Sequence, residues 1–224
     1  GKPDSGAIIV GAADNCDGST TLRSRLGSST YGTRLNLQGP GNCVTTTGYG
    51  WLAGTTPNDF YTSGFNGTSS ASPVVASAAA SLSSAYELLN GTALSPQQTR
   101  TILMQTGTKQ NTGAGTLLGN IGKYPNLAKA LLKADITSPS VPTAFAVSLN
   151  TLKQPYLSWG KSTDNYKIKN YQIYRNGTLY KTVTKLNLTD TAVVSGNTYS
   201  YKVRASDPSG NLSGFTSTIS VTIP

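Results

Sequence analysis

The rhythm of apolar and polar positions changes near residue 135. Before that point, Ala7-Ile8-Ile9-Val10-Gly11-Ala12 is a short continuous apolar run closed by polar residues, the pattern of a strand buried on both faces. A long Gly/Ser/Thr-rich stretch follows, punctuated by Asn36, Gln38 and Pro40-Gly41, and predicts loop. An Ala- and Ser-rich segment predicts a helix over about 69–89. A second helix carries its own start and stop signals: Ser95 as N-cap, Pro96 at the first position, Gln98 at the third and Gly107 past the end. Ile102 and Leu103 fit its buried face. A third helix is predicted over about 125–134, through Leu127, Leu131 and Leu132. Strand, loops and helices in this order predict an α/β portion.

The segment Asp135-Ile136-Thr137-Ser138-Pro139-Ser140-Val141-Pro142 reads as an extended linker. Beyond it the period becomes two. Tyr199, Tyr201, Val203 and Ala205 alternate with Ser200, Lys202, Arg204 and Ser206, so one face is buried and the other wet. Asn176-Gly177 between two apolar runs is a two-residue hairpin signal. Leu157 and Trp159 share a face, as do Ile219, Val221 and Ile223. Several short strands in this length predict an all-β sandwich over 143–224. The pattern resembles a fibronectin type III domain, in which Tyr199 would be the corner tyrosine whose hydroxyl ties down a neighbouring loop. The expected organisation is therefore 1–134, a linker over 135–142, and a sandwich over 143–224.

Composition narrows the chemistry. The 224 residues include no His and two Cys, so no His-liganded metal site, zinc finger, Ser-His-Asp set or Cys-His set can be completed within this chain. Lys plus Arg number 18 against 9 Asp plus Glu, a net charge of +9. The excess is spread evenly: residues 1–134 carry 9 basic and 5 acidic side chains, residues 135–224 carry 9 and 4. Without a clustered basic patch, no nucleic-acid partner is expected. No apolar run approaches the ~18 residues of a membrane span. The opening Gly1-Lys2-Pro3-Asp4 has no initiator Met and no leader pattern, so the chain is expected to begin inside a longer precursor. An even cysteine count and a Ser/Thr/Gly/Asn-rich composition point to a secreted protein, in which Cys16 and Cys43 flank one loop and are expected to pair.

The stretch that carries chemistry is Asn66-Gly67-Thr68-Ser69-Ser70-Ala71-Ser72-Pro73. Gly67 permits an unusual backbone angle, Ser69 lands at the helix start, and Pro73 is expected within the first turn. Small residues at Ala71, Ala76, Ala78, Ala79 and Ala80 would let the helix approach a sheet closely. A serine so placed exposes its hydroxyl where free N–H groups and the helix dipole favour a developing oxyanion, which is what nucleophilic acyl transfer needs. The competing reading is an ordinary N-cap serine in a Gly/Ser-rich turn.

This segment resembles the catalytic-serine motif of the subtilisin-like serine proteases, the subtilases. The resemblance extends to Ala7–Ala13 as the preceding core strand and to Leu37-Gln38-Gly39-Pro40-Gly41 as an Ala-Pro-Gly-like turn, after which Asn42–Thr47 enters a hairpin. It continues through Leu94-Ser95-Pro96 and Pro125-Asn126-Leu127, covering about 5–134. Ser70 stands where many members have methionine and Ser77 where many have glycine; the first departure removes an oxidisable sulfur.

The resemblance implies the C-terminal part of a subtilisin-like parallel-sheet domain and a serine endopeptidase acting on protein or peptide substrates, with Ser69 as nucleophile. The family's triad order is Asp, His, Ser, so its base, its orienting Asp and its oxyanion Asn would all lie upstream, in the missing N-terminal part of the same domain. Asp4, Asp14, Asp17 and Asp59 are therefore given no catalytic role. The chemistry implied requires no cofactor, and structural calcium is allowed in the parent enzyme. This chain alone is expected to be inactive. The rival expectation is a non-catalytic secreted binding or adhesive protein on a degenerate protease scaffold. Gly48-Tyr49-Gly50 followed by Gly54 is one residue too long for a dinucleotide fingerprint and reads as turns.

Overall fold

The last three residues of the first apolar run and the alanine after it, Val10–Ala13, form strand β1, which pairs in parallel with Leu37–Pro40 (β2) in the register Val10 to Leu37 and Ala13 to Pro40. The computed structural model describes residues 4–48 and 52–224; the chain start at residues 1–3 and most of the Gly48-Tyr49-Gly50 motif lie outside the described residues. The chain divides into two compact units, 1–134 and 135–224, and the described residues form eleven strands and three helices.

Strand β2 corrects the expectation of a punctuated loop. All four of its residues are buried. Polar Gln38 is held there because its Nε2 donates to the Gly122 carbonyl at 2.7 Å and its backbone N–H to the Lys123 carbonyl at 2.9 Å. Composition misled because Gly39 gives close approach to Ala71 and Gln38 is buried through its hydrogen bonds, so neither adds an apolar signal. An antiparallel hairpin of Val44–Thr47 (β3) and Tyr61–Phe65 (β4) follows.

Helix α1 spans Thr68–Asn90 and lays Ala71, Val75, Ala78 and Leu82 against the pair, with spacings of four, three and four residues. Two expectations are corrected here. Ala76 and Ala80 lie on the exposed face, because the 3.6-residue period carries them away from the sheet. Pro73 is the sixth helical residue rather than part of the first turn, so the Ser69 carbonyl has no N–H four residues on to receive. Helix α2, Pro96–Thr106, starts with a complete capping box: Ser95 Oγ accepts the Gln98 N–H at 3.2 Å and Gln98 Oε1 accepts the Ser95 N–H at 2.8 Å. Helix α3, Leu127–Ala134, completes a core with Leu37, Val75, Leu82 and Leu103. Cys16 and Cys43 form a disulfide across a sequence separation of 27.

The second unit packs two antiparallel sheets. Ala146–Leu149 (β5), Pro155–Ser158 (β6) and Asn187–Thr189 (β9) make one. Asn170–Arg175 (β7), Thr178–Val183 (β8), Thr198–Ser206 (β10) and Ile219–Thr222 (β11) make the other, in the order β11-β10-β7-β8. Asn176 and Gly177 turn β7 into β8 with φ of 50° and 81°, both in the left-handed region that a type I′ turn requires. Leu157, Trp159, Ile173, Tyr201 and Val203 form the core. The Tyr199 hydroxyl accepts the Val194 N–H at 3.1 Å and so holds the loop before β10. The segment 135–142 has no helix or strand but is hydrogen-bonded into this unit, through Ser140 N–H to Thr163 O at 2.8 Å among others.

One polar group sits inside the sandwich. Asp190 is 0% exposed and accepts from the hydroxyls of Tyr201 (2.7 Å) and Tyr180 (2.8 Å), from Arg175 Nη1 (2.9 Å) and from the Ala192 N–H (2.9 Å). Burial pushes its carboxyl upward, but the two tyrosines, the Ala192 N–H and Arg175 outweigh it and hold the group below the usual carboxylate range. With a folded value below the unfolded one, its stabilising contribution is present above the ordinary carboxylate range and is lost as pH falls through the folded value.

Asp190→Ala is expected to destabilise this unit by about 1–3 kcal/mol, because it leaves the buried Tyr201 hydroxyl without an acceptor and unpairs Tyr180 and the partly exposed Arg175 guanidinium. A urea titration read by the fluorescence of buried Trp159 measures it, and an unchanged midpoint would contradict it. Replacing Cys16 and Cys43 by serine is expected to cost the first unit about 3.5 kcal/mol in the chain-entropy account of a cross-link. Matched denaturation curves of the two proteins, read by far-ultraviolet circular dichroism, check this.

Candidate functional site

The site is built where α1 meets the C-terminal end of β2. Gly67 precedes the helix with φ 83° and ψ −173°, a conformation that a side chain would strain. Its N–H donates to the Gly41 carbonyl at 2.8 Å, and its own carbonyl receives the Ser70 N–H at 3.2 Å. Ser70, only 1% exposed, donates from Oγ toward the Pro40 carbonyl (2.8 Å) and the Gly67 carbonyl (2.9 Å). The turn is therefore tied to the strand at two points.

The helix comes close because Gly39 has no side chain, and β1 comes close to the end of β2 because Gly41 has none. A Cβ on Gly39 would lie 2.5 Å from the Ala71 carbonyl oxygen, and one on Gly41 would lie 2.6 Å from Ala12 Cβ. Sequence reasoning singled out neither glycine for this role and treated Ser70 only as the absence of methionine. The signal that could have found Ser70 is a hydroxyl one residue past an exposed position at a helix start, where the next side chain turns inward.

Ser69, the second helical residue, is exposed, and neither its hydroxyl nor its N–H has a partner among the described residues. Both groups stand at the positive end of a helix of 23 residues. A hydroxyl and a free N–H on one residue at such an end can attack a carbonyl and bind the oxygen on which charge develops. Among the described residues no general base is joined to it. The acidic residues of this unit with described interactions are engaged elsewhere. Asp4 pairs with Arg100, and the hydrogen bonds from Arg100 and the Gly6 N–H hold its carboxyl at about 2. Asp14 is buried, which raises its pKa, yet hydrogen bonds from Ser19, Asn42, Thr21 and the Cys16 N–H overcome this and hold it at about 2. Asp59 accepts the N–H groups of Thr55 and Thr56 at 3.0 and 2.7 Å. Asp17 is exposed. Asn66 donates to the Gly64 carbonyl at 3.1 Å.

Ser70→Ala is expected to lower the stability of the first unit by about 1–3 kcal/mol through loss of the buried hydroxyl bonds to Pro40 and Gly67. Chemical denaturation followed at the helical circular-dichroism band tests it; an unchanged midpoint would show that the hydroxyl does not hold the turn.

Comparison with known proteins places these features in a family. Among curated proteins, the chain is 34% identical over 103 residues to an alpha-amylase of Niallia circulans, covering 46% of this chain and 8% of that protein. It is 36% identical over 88 residues to exoglucanase B of Cellulomonas fimi, covering 39% of this chain and 8% of that one. The chain thus spans a small fraction of these relatives' length. A solved structure of an FN3tt mutant matches 39% of this chain and 98% of its own length at 25% identity, with a TM-score of 0.34. Among the described residues no helix is long and apolar enough to cross a membrane. The family model that matches is that of the subtilases, over residues 3–123, more than half of the chain, and the chain belongs to the subtilase family.

Proposed function

We propose that residues 1–134 are the nucleophile-bearing, C-terminal part of a subtilisin-like serine endopeptidase domain, carried together with a fibronectin type III-like module in a secreted protein. The observation that carries this reading is Ser69: exposed, without a partner among the described residues, at the start of a long helix whose entry is tied to β2 by Gly67 and Ser70. The family match over 3–123 supports it. The parallel β1–β2 pair is read as a fragment of the wider parallel sheet of that fold.

In this mechanism Ser69 Oγ attacks the peptide carbonyl, and the Ser69 N–H donates to the oxyanion that forms. The proton leaves Oγ for a base outside this chain, since the chain has no histidine. The orienting carboxylate and a side-chain oxyanion donor are likewise supplied from upstream. The chain alone lacks turnover in consequence, because loss of triad partners costs many orders of magnitude.

A specific observation also supports a second reading. The relatives found among curated proteins carry names of polysaccharide-degrading enzymes, and a shared module with a non-catalytic role on a protease scaffold would produce the same matches. The two readings part at Ser69.

Ser69→Ala in the protein carrying the upstream segment is expected to abolish peptide hydrolysis, a loss of roughly 10⁴-fold or more, with an unchanged circular-dichroism spectrum. Labelling by a fluorophosphonate, mapped to Ser69 by mass spectrometry, is the companion readout. Near-parental hydrolysis by the variant would remove Ser69 from the mechanism, and an unlabelled, inactive parent would favour the scaffold.

A further inference from the structure

The second unit has only 4 acidic residues against 9 Lys and Arg, and three of the four meet in one place. Asp135 opens the unit, Asp164 lies in the loop between β6 and β7, and Asp207 follows β10 directly. Each brings a carboxylate oxygen within 4.8 Å of the other two. Asp135 and Asp207 are 4% and 0% exposed.

Their hydrogen bonds come from neutral groups alone. Asp207 Oδ1 accepts the N–H groups of Gly210 and Asn211 at 2.7 and 2.8 Å, and its Oδ2 accepts Asn211 Nδ2 at 2.8 Å. Asp135 accepts the Thr137 N–H at 3.2 Å and the Ser209 hydroxyl at 3.1 Å. Asp164 Oδ2 accepts the N–H groups of Tyr166 and Lys167, both at 3.0 Å. Asp164 Oδ1, by contrast, is closed off from solvent and accepts nothing. Among the described residues the ion pairs are Arg100–Asp4 and Arg175–Asp190, so none of the unit's nine cationic side chains pairs with this trio.

Three carboxylates this close repel one another, and burial of two of them raises the cost. The unit pairs its remaining acid, Asp190, with Arg175 and two tyrosines, so cationic partners are available to its carboxylates. A solvent-free carboxylate oxygen with no donor among the described residues calls for a partner from outside the chain, and beside two further carboxylates a cation meets that need better than water. We propose that Asp135, Asp164 and Asp207 form a calcium-binding site of the second unit. The donors are all oxygen, which excludes the soft and imidazole-seeking metals. Oxygens bound at 2.3–2.6 Å to one Ca²⁺ lie up to ~4.8 Å apart, and Ca²⁺ accepts the irregular geometry that three loop residues provide. Mg²⁺ demands shorter, near-octahedral bonds and is reluctant to shed water. The bound ion ties the first residue of the unit to two loops that are 29 and 72 residues further along the chain (164 − 135 and 207 − 135). Asn211 Nδ2, which also donates to the Asp135 carbonyl at 3.0 Å, already holds this junction in place.

The test is calcium titration of the EDTA-treated full chain by isothermal calorimetry, with thermal unfolding at matched free Ca²⁺. Wild type is expected to bind Ca²⁺ with a Kd of roughly 1 mM or tighter, and Tm of the second unit is expected to rise by roughly 10 °C at a hundredfold excess over Kd. Asp164→Asn keeps the shape, and its amide oxygen can still accept the Tyr166 and Lys167 N–H groups, which turns its amide nitrogen toward Asp135 and Asp207 in place of Oδ1. It is expected to lose at least roughly tenfold in affinity together with the Tm response. Asp135→Asn serves as the second variant, and the wild-type comparison of EDTA with Ca²⁺ needs no substitution. Absence of both heat and Tm shift in wild type at roughly 10 mM Ca²⁺ overturns the site. A Ca²⁺ response retained in both variants overturns the ligand assignment, and an equal response to Mg²⁺ overturns the choice of calcium.

Discussion

Whatever chemistry the first unit performs depends on how near one helix end comes to one strand. With no side chain at Gly39, the backbone of Ala71 occupies the space a Cβ would need, and the first turn of α1 sits directly on β2. The Ser70 hydroxyl then reaches the Pro40 carbonyl, and the Gly67 N–H reaches Gly41. These contacts fix the direction in which α1 leaves the sheet and so the point in space where Ser69 stands. A larger residue at 39 would push the helix outward and move the exposed hydroxyl with it, though it touches neither Ser69 nor any reacting atom. The rest of the helix reinforces the placement with ordinary apolar burial of Val75, Ala78 and Leu82.

The second unit solves a different problem. Its sheets enclose a carboxylate, Asp190, whose four donors come from β7, β8, β10 and the segment after β9. Tyr201 is fully buried, and burial together with Asp190 pushes its hydroxyl well above the usual phenol range, so it remains a donor at any ordinary pH. A polar centre of this kind demands that three strands of one sheet and the segment leaving β9 of the other arrive in the right register, because a shifted strand would leave a charged or hydroxyl group unpaired. Trp159 and Tyr171, with ring centroids 5.6 Å apart, supply the apolar mass beside it.

Elements governed by local signals were legible in the sequence. Helix α2 declared its capping box and its proline, and the β7–β8 hairpin declared its Asn-Gly turn, because both depend on residues adjacent along the chain. The place of Ser69 at the start of α1 was legible for the same reason, its turn-and-helix segment being continuous. What escaped depends on partners far away in sequence. Strand β2 looks like a loop until Gly122 and Lys123 are known to receive Gln38. Ser70 looks like a neutral replacement until Pro40 lies beneath it. Asp190 is one acidic residue among polar neighbours, and only the fold surrounds it with Tyr180, Tyr201 and Arg175. The positions of Ala76 and Ala80 were misjudged because composition marked the helix as small without saying which small residues face inward.

The disulfide has a directional consequence. Cys16 follows the end of β1 and Cys43 follows the end of β2, so the cross-link joins the two parallel strands beyond their C-terminal ends, the same end on which α1 begins. The opposite end, Val10 and Leu37, is held by non-covalent contacts alone, among them the Asn36 and Leu37 N–H groups on the Ile9 carbonyl, so opening of the pair is easier from there. Fraying of this pair therefore starts remote from Ser69 and runs toward a covalent stop before it reaches the helix entry. The last part of the pair to loosen is the part on which the exposed serine stands.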